Sequence, residues 1–165
     1  MDLFSPNIHF LDFQSYEGNI KQVSDDKIPG SNELHIKPAI LRNSEKVLLL
    51  QTKHRSQFTD YDYFFINQIS AYNSERFLKI KSLMIDRDSI IYFCLEDGGM
   101  RLYDFMQDKS IDMLTRVMVF EQACQIIREF KKFGELFLFF DWNIFYVNYD
   151  QLTKQLKLRA INNGN

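Results

Sequence analysis

The chain has 165 residues, a length that fits one domain with a sizeable hydrophobic core. Hydrophobic residues make up 45% and charged residues 25%, which is the balance of a globular protein rather than of a disordered or fibrous one. The formal net charge is −2 at pH 7, and a nucleic-acid partner, which calls for clustered basic residues, is therefore not predicted.

Cysteine and histidine positions give no sign of a metal site or a disulfide. Cys94 and Cys124 lie far apart in apolar runs, which favours two buried, reduced thiols, and the histidines are scattered without ligand spacing. The first ten residues lack a basic segment followed by a long apolar one, and no run approaches about 18 apolar residues. We therefore expect a cytoplasmic protein with no cofactor and no membrane partner.

The first 36 residues form the least regular part of the sequence. Turn-forming residues recur there, at Gly18 and again at Pro29-Gly30. We treat residues 1–36 as an N-terminal extension and place the main domain at 37–165.

A hairpin opens the main domain. The segments "LHIKPAILRN" and "EKVLLLQTK" predict two strands joined at Asn43-Ser44, and Pro38 favours an edge position or a bulge for part of the first strand. The next segment, "DYDYFFINQISAYN", has apolar residues at helical spacing. Asp60 or Asp62 lies near the start of this helix, where a negative charge suits the helix dipole.

A second hairpin follows, in which "RFLKIKSLMI" and "IIYFCLE" are separated by the polar turn at 86–89. The glycines of "DGG" at 97–99 end the second strand, and "MRLYDFMQ" predicts a short helix. A third hairpin is predicted further on, from "NIFYVNY", the turn "DQLTK" and "QLKLRA".

The segment "SIDMLTRVMVFEQACQIIREFKKFG" predicts a long helix, with Ser110 as a cap at its start and Gly134 at its end. Two neighbouring apolar stripes run along it, so we expect apolar partners on more than one side. The first stripe comprises Val117, Phe120, Cys124 and Ile127; the second comprises Val119, Ala123, Ile126 and Phe130. Because helices and strands are segregated along the chain, the fold class is α+β.

Three segments, in this order along the chain, resemble parts of a eukaryotic protein kinase domain. "NQISAYNSERFLKIKSLMI" is similar to the end of the regulatory helix and the next strand, and "SIIYFCLEDGGMRLYDFM" is similar to the strand, hinge and helix that follow. "VFEQACQIIREFKKFGELFLFFDWNIFYVNYDQLTKQLKL" is similar to the long helix, catalytic loop and short strand pair. The resemblance implies a twisted antiparallel sheet plus one helix as a small lobe, then a hinge, the long helix and a terminal β-hairpin, with the remainder of the large lobe missing.

Phosphoryl transfer in this family needs a Gly-rich loop and a strand lysine paired with a helix glutamate. The early chain contains no G-x-G-x-x-G. The family's lysine falls at Leu50 or Gln51, two or three places before Lys53, and a one-residue register slip would turn Lys53 to the other face of the sheet. The helix glutamate falls at Phe65.

The family's H-R-D triplet falls at Leu136-Phe137-Leu138 and its D-F-G triplet at Ala160-Ile161-Asn162, so Leu138 and Ala160 replace the proton acceptor and one metal carboxylate. Asn143 keeps the family's identity, whereas Asp141 has no counterpart. One amide without a carboxylate does not hold magnesium, and Asn143 can instead bond the backbone of its own loop. The resemblance therefore implies a catalytically degenerate domain, a pseudokinase, and not an enzyme.

A protein that keeps this fold without its chemistry is expected to act through protein–protein contacts. The long helix should meet residues 1–36, a second copy of the chain or another protein subunit, because a bare apolar stripe is typical of an interface. The candidate interface residues are Val117, Phe120, Cys124, Ile127, Phe130 and Trp142. We expect a structural or scaffolding subunit, for which a cytoskeletal or ciliary assembly is one possible setting.

Two other functions stay open at this point. The hinge can still hold an adenine ring, which would make the chain a regulatory nucleotide-binding module with Glu96, Gly98 and Asn143 as candidate binding residues. An enzyme with unrelated chemistry in the same cleft is disfavoured, because the sequence offers no paired titratable groups for it.

Overall fold

The computed structural model describes residues 12–24, 36–71, 74–132 and 142–161 of the chain. It divides into two compact units, which we call the sheet unit (Met1–Asn73 and Lys79–Asp97) and the helix unit (Ser74–Leu78 and Gly98–Asn165). Residues 74–78 belong to the helix unit, and the chain passes into that unit for the last time between Asp97 and Gly98, within the predicted hinge.

The described part of the chain is mixed α+β, as predicted. The strands are β1 (Phe13–Ser15), β2 (Ile20–Val23), β3 (Ile36–Leu41), β4 (Lys46–His54), β5 (Ile80–Ile85), β6 (Ile90–Glu96), β7 (Met100–Arg101), β8 (Phe145–Asp150) and β9 (Gln155–Ala160). The helices are α1 (Tyr16–Asn19), α2 (Asp60–Ala71), α3 (Leu102–Gln107) and α4 (Met113–Lys132).

The sheet unit contains the first two predicted hairpins, β3–β4 and β5–β6, and both are confirmed. Its six strands lie in the order β1-β5-β6-β4-β3-β2. Ser44 and Ser89 adopt positive φ values of 71° and 62° in the two turns. Asp86 stabilises the second turn, because its carboxylate accepts backbone N–H bonds from Asp88 and Ile90, each at 2.9 Å.

β3 is an inner strand that pairs with both β2 and β4, but its pairing with β2 stops at Ala39, so Pro38 lies at a local edge. Its carbonyl accepts a bond from the N–H of Ser24 at 2.9 Å, one residue beyond the end of β2. A residue other than proline would return a second bond to Ser24 in this antiparallel pair. Pro38 is therefore tolerated because the missing bond lies where β2 has already ended.

Part of the N-terminal segment belongs to the sheet unit, in contrast to the predicted boundary at residue 36. β1 pairs in parallel with β5, and β2 pairs antiparallel with β3. One face of the sheet carries a hydrophobic cluster to which β2 contributes, and Tyr16 of α1 packs against it. The buried members of this cluster are Ile20, Ala39, Val47, Leu49, Met84 and Cys94.

The helix unit combines α4 with a three-stranded sheet in the order β7-β8-β9, which includes the third predicted hairpin. Two of its boundaries differ from the prediction. The segment predicted as one short helix begins with the two residues of β7, which pair with β8, before α3 starts. The strand β8 starts at Phe145 rather than Asn143, because Trp142–Ile144 form a 3-10 turn.

The long helix is confirmed, but its predicted cap is wrong. α4 begins at Met113, and the carboxylate of Asp112 accepts the backbone N–H of Thr115 at 2.8 Å, so Asp112 caps the helix. The Ser110 hydroxyl instead donates to Asp108. Gly134, the predicted end, lies outside the described residues. None of the helices within the described ranges is long and apolar enough to cross a membrane.

Candidate functional site

The first two turns of α4 carry four large apolar side chains that are mostly exposed. Met113 is 74% exposed and Leu114 70%, and one turn later Val117 is 53% and Phe120 67% exposed. We call these four residues the α4 surface. Exposed apolar side chains that adjoin one another are typical of an interaction site, whereas single ones are common on any protein.

Side-chain contacts fix the rotation of α4. The second predicted stripe lies beside it on the helix, and Val119, Ala123 and Ile126 on that stripe are buried. Gln122 is bonded to β9 in both directions: its amide donates to the carbonyl of Leu156 at 2.9 Å and accepts the N–H of Leu158 at 2.7 Å. These bonds hold the helix so that the α4 surface points away from β9.

A second set of contacts reaches α4 from residues 74–78, which also belong to the helix unit. The carboxylate of Glu129 accepts bonds from the Ser74 hydroxyl and from the guanidinium of Arg76, and Gln125 accepts a second bond from Arg76 at 3.1 Å. Glu129 is largely buried, so this charge-assisted pair fastens the C-terminal half of α4.

Five of the six candidate interface residues have described side chains, and these fall into three groups. Val117 and Phe120 are exposed, whereas Cys124 and Ile127 are half-buried. Phe130 is only 2% exposed and packs edge-on against Phe77 with ring centroids 4.8 Å apart. It is a core residue of the helix unit, and we leave it out of the surface. The side chain of Trp142 lies outside the described part of the structure.

Lys53 lies at the end of β4, where the β4–β6 register shifts between Gln51 and His54. Its ammonium is 2.9 Å from the carboxylate of Asp62 in the first turn of α2. A strand lysine paired with a helix acid is the arrangement that the kinase family uses, although here the acid is the third residue of the helix.

Asp62 also caps α2. Its carboxylate accepts the backbone N–H of Thr59 at 2.7 Å and the Thr59 hydroxyl at 3.1 Å. Partial burial raises the pKa of Asp62, but the bonds from Thr59 and Lys53 outweigh it, so the pKa lies below its ordinary value. The Lys53–Asp62 pair is thus tied to the start of the helix.

The resemblance places the family's lysine at Leu50 or Gln51 and its glutamate at Phe65, and both Leu50 and Phe65 are apolar. Leu50 is 6% exposed and faces Phe93 across β4 and β6. Phe65 is half-buried in α2, with its ring 6.4 Å from that of Tyr61. Neither position places a charge beside the other, so a Leu50–Phe65 pair cannot reproduce the family's ion pair.

The candidate hinge residues are held by backbone contacts. Glu96 ends β6, donates its N–H to the carbonyl of Lys79 and accepts the N–H of Lys79 on its carboxylate, both at 3.0 Å. A Cβ on Gly98 would lie 2.6 Å from the Cβ of Tyr146, and one on Gly99 would lie 2.4 Å from the carbonyl oxygen of Val147. Close packing on β8 thus explains both glycines.

The remaining candidates lie in the helix unit. Asn143 is half-buried in the 3-10 turn before β8. Ala160 is fully buried in β9; its N–H donates to Arg76 and its carbonyl accepts from Leu78, each at 2.9 Å. Position 160 is therefore regular extended backbone. Residues 136–138 and Asp141 lie outside the described residues. No group of three acidic, His or Cys side chains that could hold a metal occurs in the ranges that the structure describes.

Sequence reasoning missed two of these features. The pattern Thr59-x-x-Asp62 is a capping-box signal and could have placed the start of α2. The Glu129 network joins residues more than fifty positions apart, and no local pattern indicates it.

No protein-family model matches the chain, and no curated protein matches it. Among solved structures, it is similar to the crystal structure of Rad53 1-466 in complex with AMP-PNP, with a TM-score of 0.62 and 15% sequence identity. The similarity covers 88% of this chain and 38% of that one, so the chain spans well under half of the Rad53 structure. At this identity the likeness concerns the fold alone, and that fold is kinase-like.

Proposed function

We propose that this chain is a non-catalytic, kinase-like structural subunit that binds another protein subunit, or a second copy of itself, through the α4 surface. The observation that carries the proposal is the exposure of Met113, Leu114, Val117 and Phe120 on two successive helical turns. Burial of such side chains contributes roughly 25 cal/mol per Å² of apolar area, which favours binding of a partner.

The absence of catalysis is supported by the residues at the positions that match the kinase motifs. By the predicted alignment, Leu50 or Gln51 falls at the family's lysine, Phe65 at its glutamate and Ala160 at a metal-binding aspartate. Apolar groups at these positions avoid the cost of burying charges without partners. A pseudokinase scaffold, cytoskeletal or otherwise, keeps the fold without that cost.

The test removes the surface without touching the core. The double variant Leu114→Ser and Phe120→Ser is compared with Leu152→Ser, which removes a 96% exposed leucine from the β8–β9 turn. Sedimentation of the purified chain measures self-association, and quantitative mass spectrometry of proteins that co-purify from the native cell measures other partners. We expect the double variant to lose the dominant partner by at least tenfold and the Leu152 variant to keep it.

Equal recovery of every partner with both variants, together with an unchanged sedimentation profile, would refute the proposed role of α4. Phosphotransfer from ATP to a peptide by the unmodified chain would refute the non-catalytic part separately.

One observation favours a second candidate, the regulatory nucleotide-binding module. The Lys53–Asp62 pair is of the chemical type that positions nucleotide phosphates in kinases. If it does so here, ATP with magnesium raises the melting temperature of the chain, and Lys53→Ala removes that shift. No shift at millimolar ATP leaves the scaffold as the better account.

A further inference from the structure

β1 and β2 lie at opposite edges of the six-stranded sheet. β1 pairs with β5 at one edge, and β2 pairs with β3 at the other. Only the four residues of α1 lie between these two strands in the sequence. The chain therefore leaves one edge of the sheet and joins the other within a single short turn.

The length of this connection shows that the sheet is curled. Five inter-strand spacings of about 4.8 Å make a flat six-stranded sheet about 24 Å wide. Even a fully extended chain covers at most about 18 Å between Ser15 and Ile20, and a helical turn covers about 7 Å. Since α1 is helical, the two edges must approach each other. The sheet therefore curls around the hydrophobic cluster of its inner face.

α1 is bonded to the turns of both hairpins. The carboxylate of Glu17 accepts the backbone N–H of Arg87 in the β5–β6 turn at 2.8 Å. On the other side, the guanidinium of Arg42 in the β3–β4 turn donates to the carbonyl of Glu17 at 3.0 Å. The N–H of Arg42 also donates to the carbonyl of Asn19 at 2.9 Å.

Aromatic packing adds to these bonds. The ring of Tyr16 in α1 lies 4.5 Å from the ring of Tyr92 in β6, and the Tyr92 hydroxyl donates to Asp86 in the β5–β6 turn at 3.1 Å. Tyr16 thus covers the end of the inner cluster, and α1 is held by side chains as well as by its chain connections.

We infer that residues 13–23 form a clasp that couples the two edges of the sheet unit. Loosening α1 from either hairpin turn frees both edges, because the same four residues tether both β1 and β2. An opened β5 edge then presents free backbone N–H and C=O groups, which are a template for pairing with strands of other chains. The clasp accordingly protects that edge from pairing with other chains, a role that does not depend on the α4 surface.

Hydrogen exchange of the full chain, followed by mass spectrometry, tests the coupling from both sides. Glu17→Ala removes the acceptor for Arg87 and touches the β5–β6 turn, whereas Arg42→Ala removes the guanidinium bond at the β3–β4 turn. We expect each variant to speed exchange in both β5 (80–85) and β3 (36–41) by about fivefold, the change that loss of one bond of about 1 kcal/mol produces.

Three controls separate the coupling of the two edges from loss of charge and from global unfolding. Glu17→Gln retains an oxygen that accepts the Arg87 N–H and loses only an exposed ion pair, so its exchange should match the unmodified chain. Glu121→Ala, on the exposed side of α4, should change neither strand. Exchange across α4 (113–132) reports global unfolding. If Glu17→Ala unfolds the chain, the coupling is judged from Arg42→Ala alone, because that variant truncates an exposed side chain.

The inference fails if each variant speeds exchange only in the strand next to its own turn, since the edges would then open independently. It fails equally if neither variant changes β3 or β5.

Discussion

The two units differ in how they treat large apolar side chains. In the sheet unit the four consecutive residues Val47–Leu50 are all buried, so both faces of β4 are covered. Of the large apolar side chains that are more than half exposed in the described residues, Tyr61 belongs to the sheet unit. Those of the helix unit are Met100, Tyr103, Met113, Leu114, Val117, Phe120 and Leu152.

The large apolar side chains are thus mostly buried in the sheet unit, whereas several are exposed in the helix unit. A strand can bury both faces when chain lies on each side of it, and the hydrophobic cluster covers the face of β4 that carries Val47 and Leu49. A helix on a three-stranded sheet buries one face and leaves the other to solvent or to a partner. The comparison favours the proposal that the α4 surface of the helix unit binds a partner.

Two phenylalanines of α4 test whether the α4 surface lies outside the hydrophobic core. Phe130 is 2% and Phe120 is 67% exposed. Phe130→Ala should lower the free energy of unfolding by about 3–5 kcal/mol, because it leaves a cavity beside Phe77. Phe120→Ala should stay within about 0.5 kcal/mol of the unmodified chain in urea unfolding. A comparable loss at Phe120 would mean that the α4 surface is part of the core.

The next largest effect concerns Gly99, where φ is +91° and a Cβ would lie 2.4 Å from the carbonyl oxygen of Val147. Gly99→Ala combines backbone strain with steric overlap on the backbone of β8, and should lower the free energy of unfolding by about 3 kcal/mol. Gly18→Ala in α1 is the matched change in the sheet unit, since its nearest atom is the Ser15 hydroxyl oxygen at 3.2 Å. Thermal unfolding should show that Gly18→Ala changes the free energy of unfolding by less than about 1 kcal/mol. Equal losses for the two variants would show that Gly99 is no more constrained than Gly18.

An intermediate effect is expected from the polar network of the helix unit. Glu129→Ala removes the acceptor for Arg76 and Ser74 and should cost about 2 kcal/mol, since a charge-assisted bond to a largely buried carboxylate is lost. Glu129→Gln keeps an oxygen acceptor and should lose less. Urea unfolding of both variants checks the order, and an Ala variant no weaker than the Gln variant would mean that the bonds do not stabilise α4.

Local patterns predicted much of the fold. Alternating apolar residues and turn chemistry placed the three hairpins, and helical spacing placed α2 and α4, because these signals act over a few residues. The pairing of the clasp strands β1 and β2 was not predicted, since each has three or four residues and is stabilised by a distant partner, β5 or β3. Likewise "DGG" predicted a strand end, whereas the need for Gly98 arises from Tyr146, nearly fifty residues away.

The candidate site was predicted less completely for a related reason. The period of α4 indicates two neighbouring apolar stripes but not which of them the rest of the unit covers. That choice depends on Gln122 and Glu129, polar residues whose partners on β9 and at residues 74–76 come from other parts of the chain. Phe130 was assigned to the surface for lack of this information, although it was also seen on the second stripe.

The smallest expected effect compares acid sensitivity within the sheet unit. The folded pKa of Asp62 lies below the unfolded value of about 3.9, so its charged form stabilises the native state. That contribution is complete above pH 4–5 and is lost as the pH falls through the folded pKa of Asp62. Because Lys53 is 43% exposed, solvent screens the pair and the contribution is no more than about 1 kcal/mol. Asp62→Asn should flatten the decline in urea stability below about pH 5 relative to the unmodified chain. A profile for Asp62→Asn that runs parallel to that of the unmodified chain would show that Lys53 and Thr59 do not hold Asp62 in the charged form.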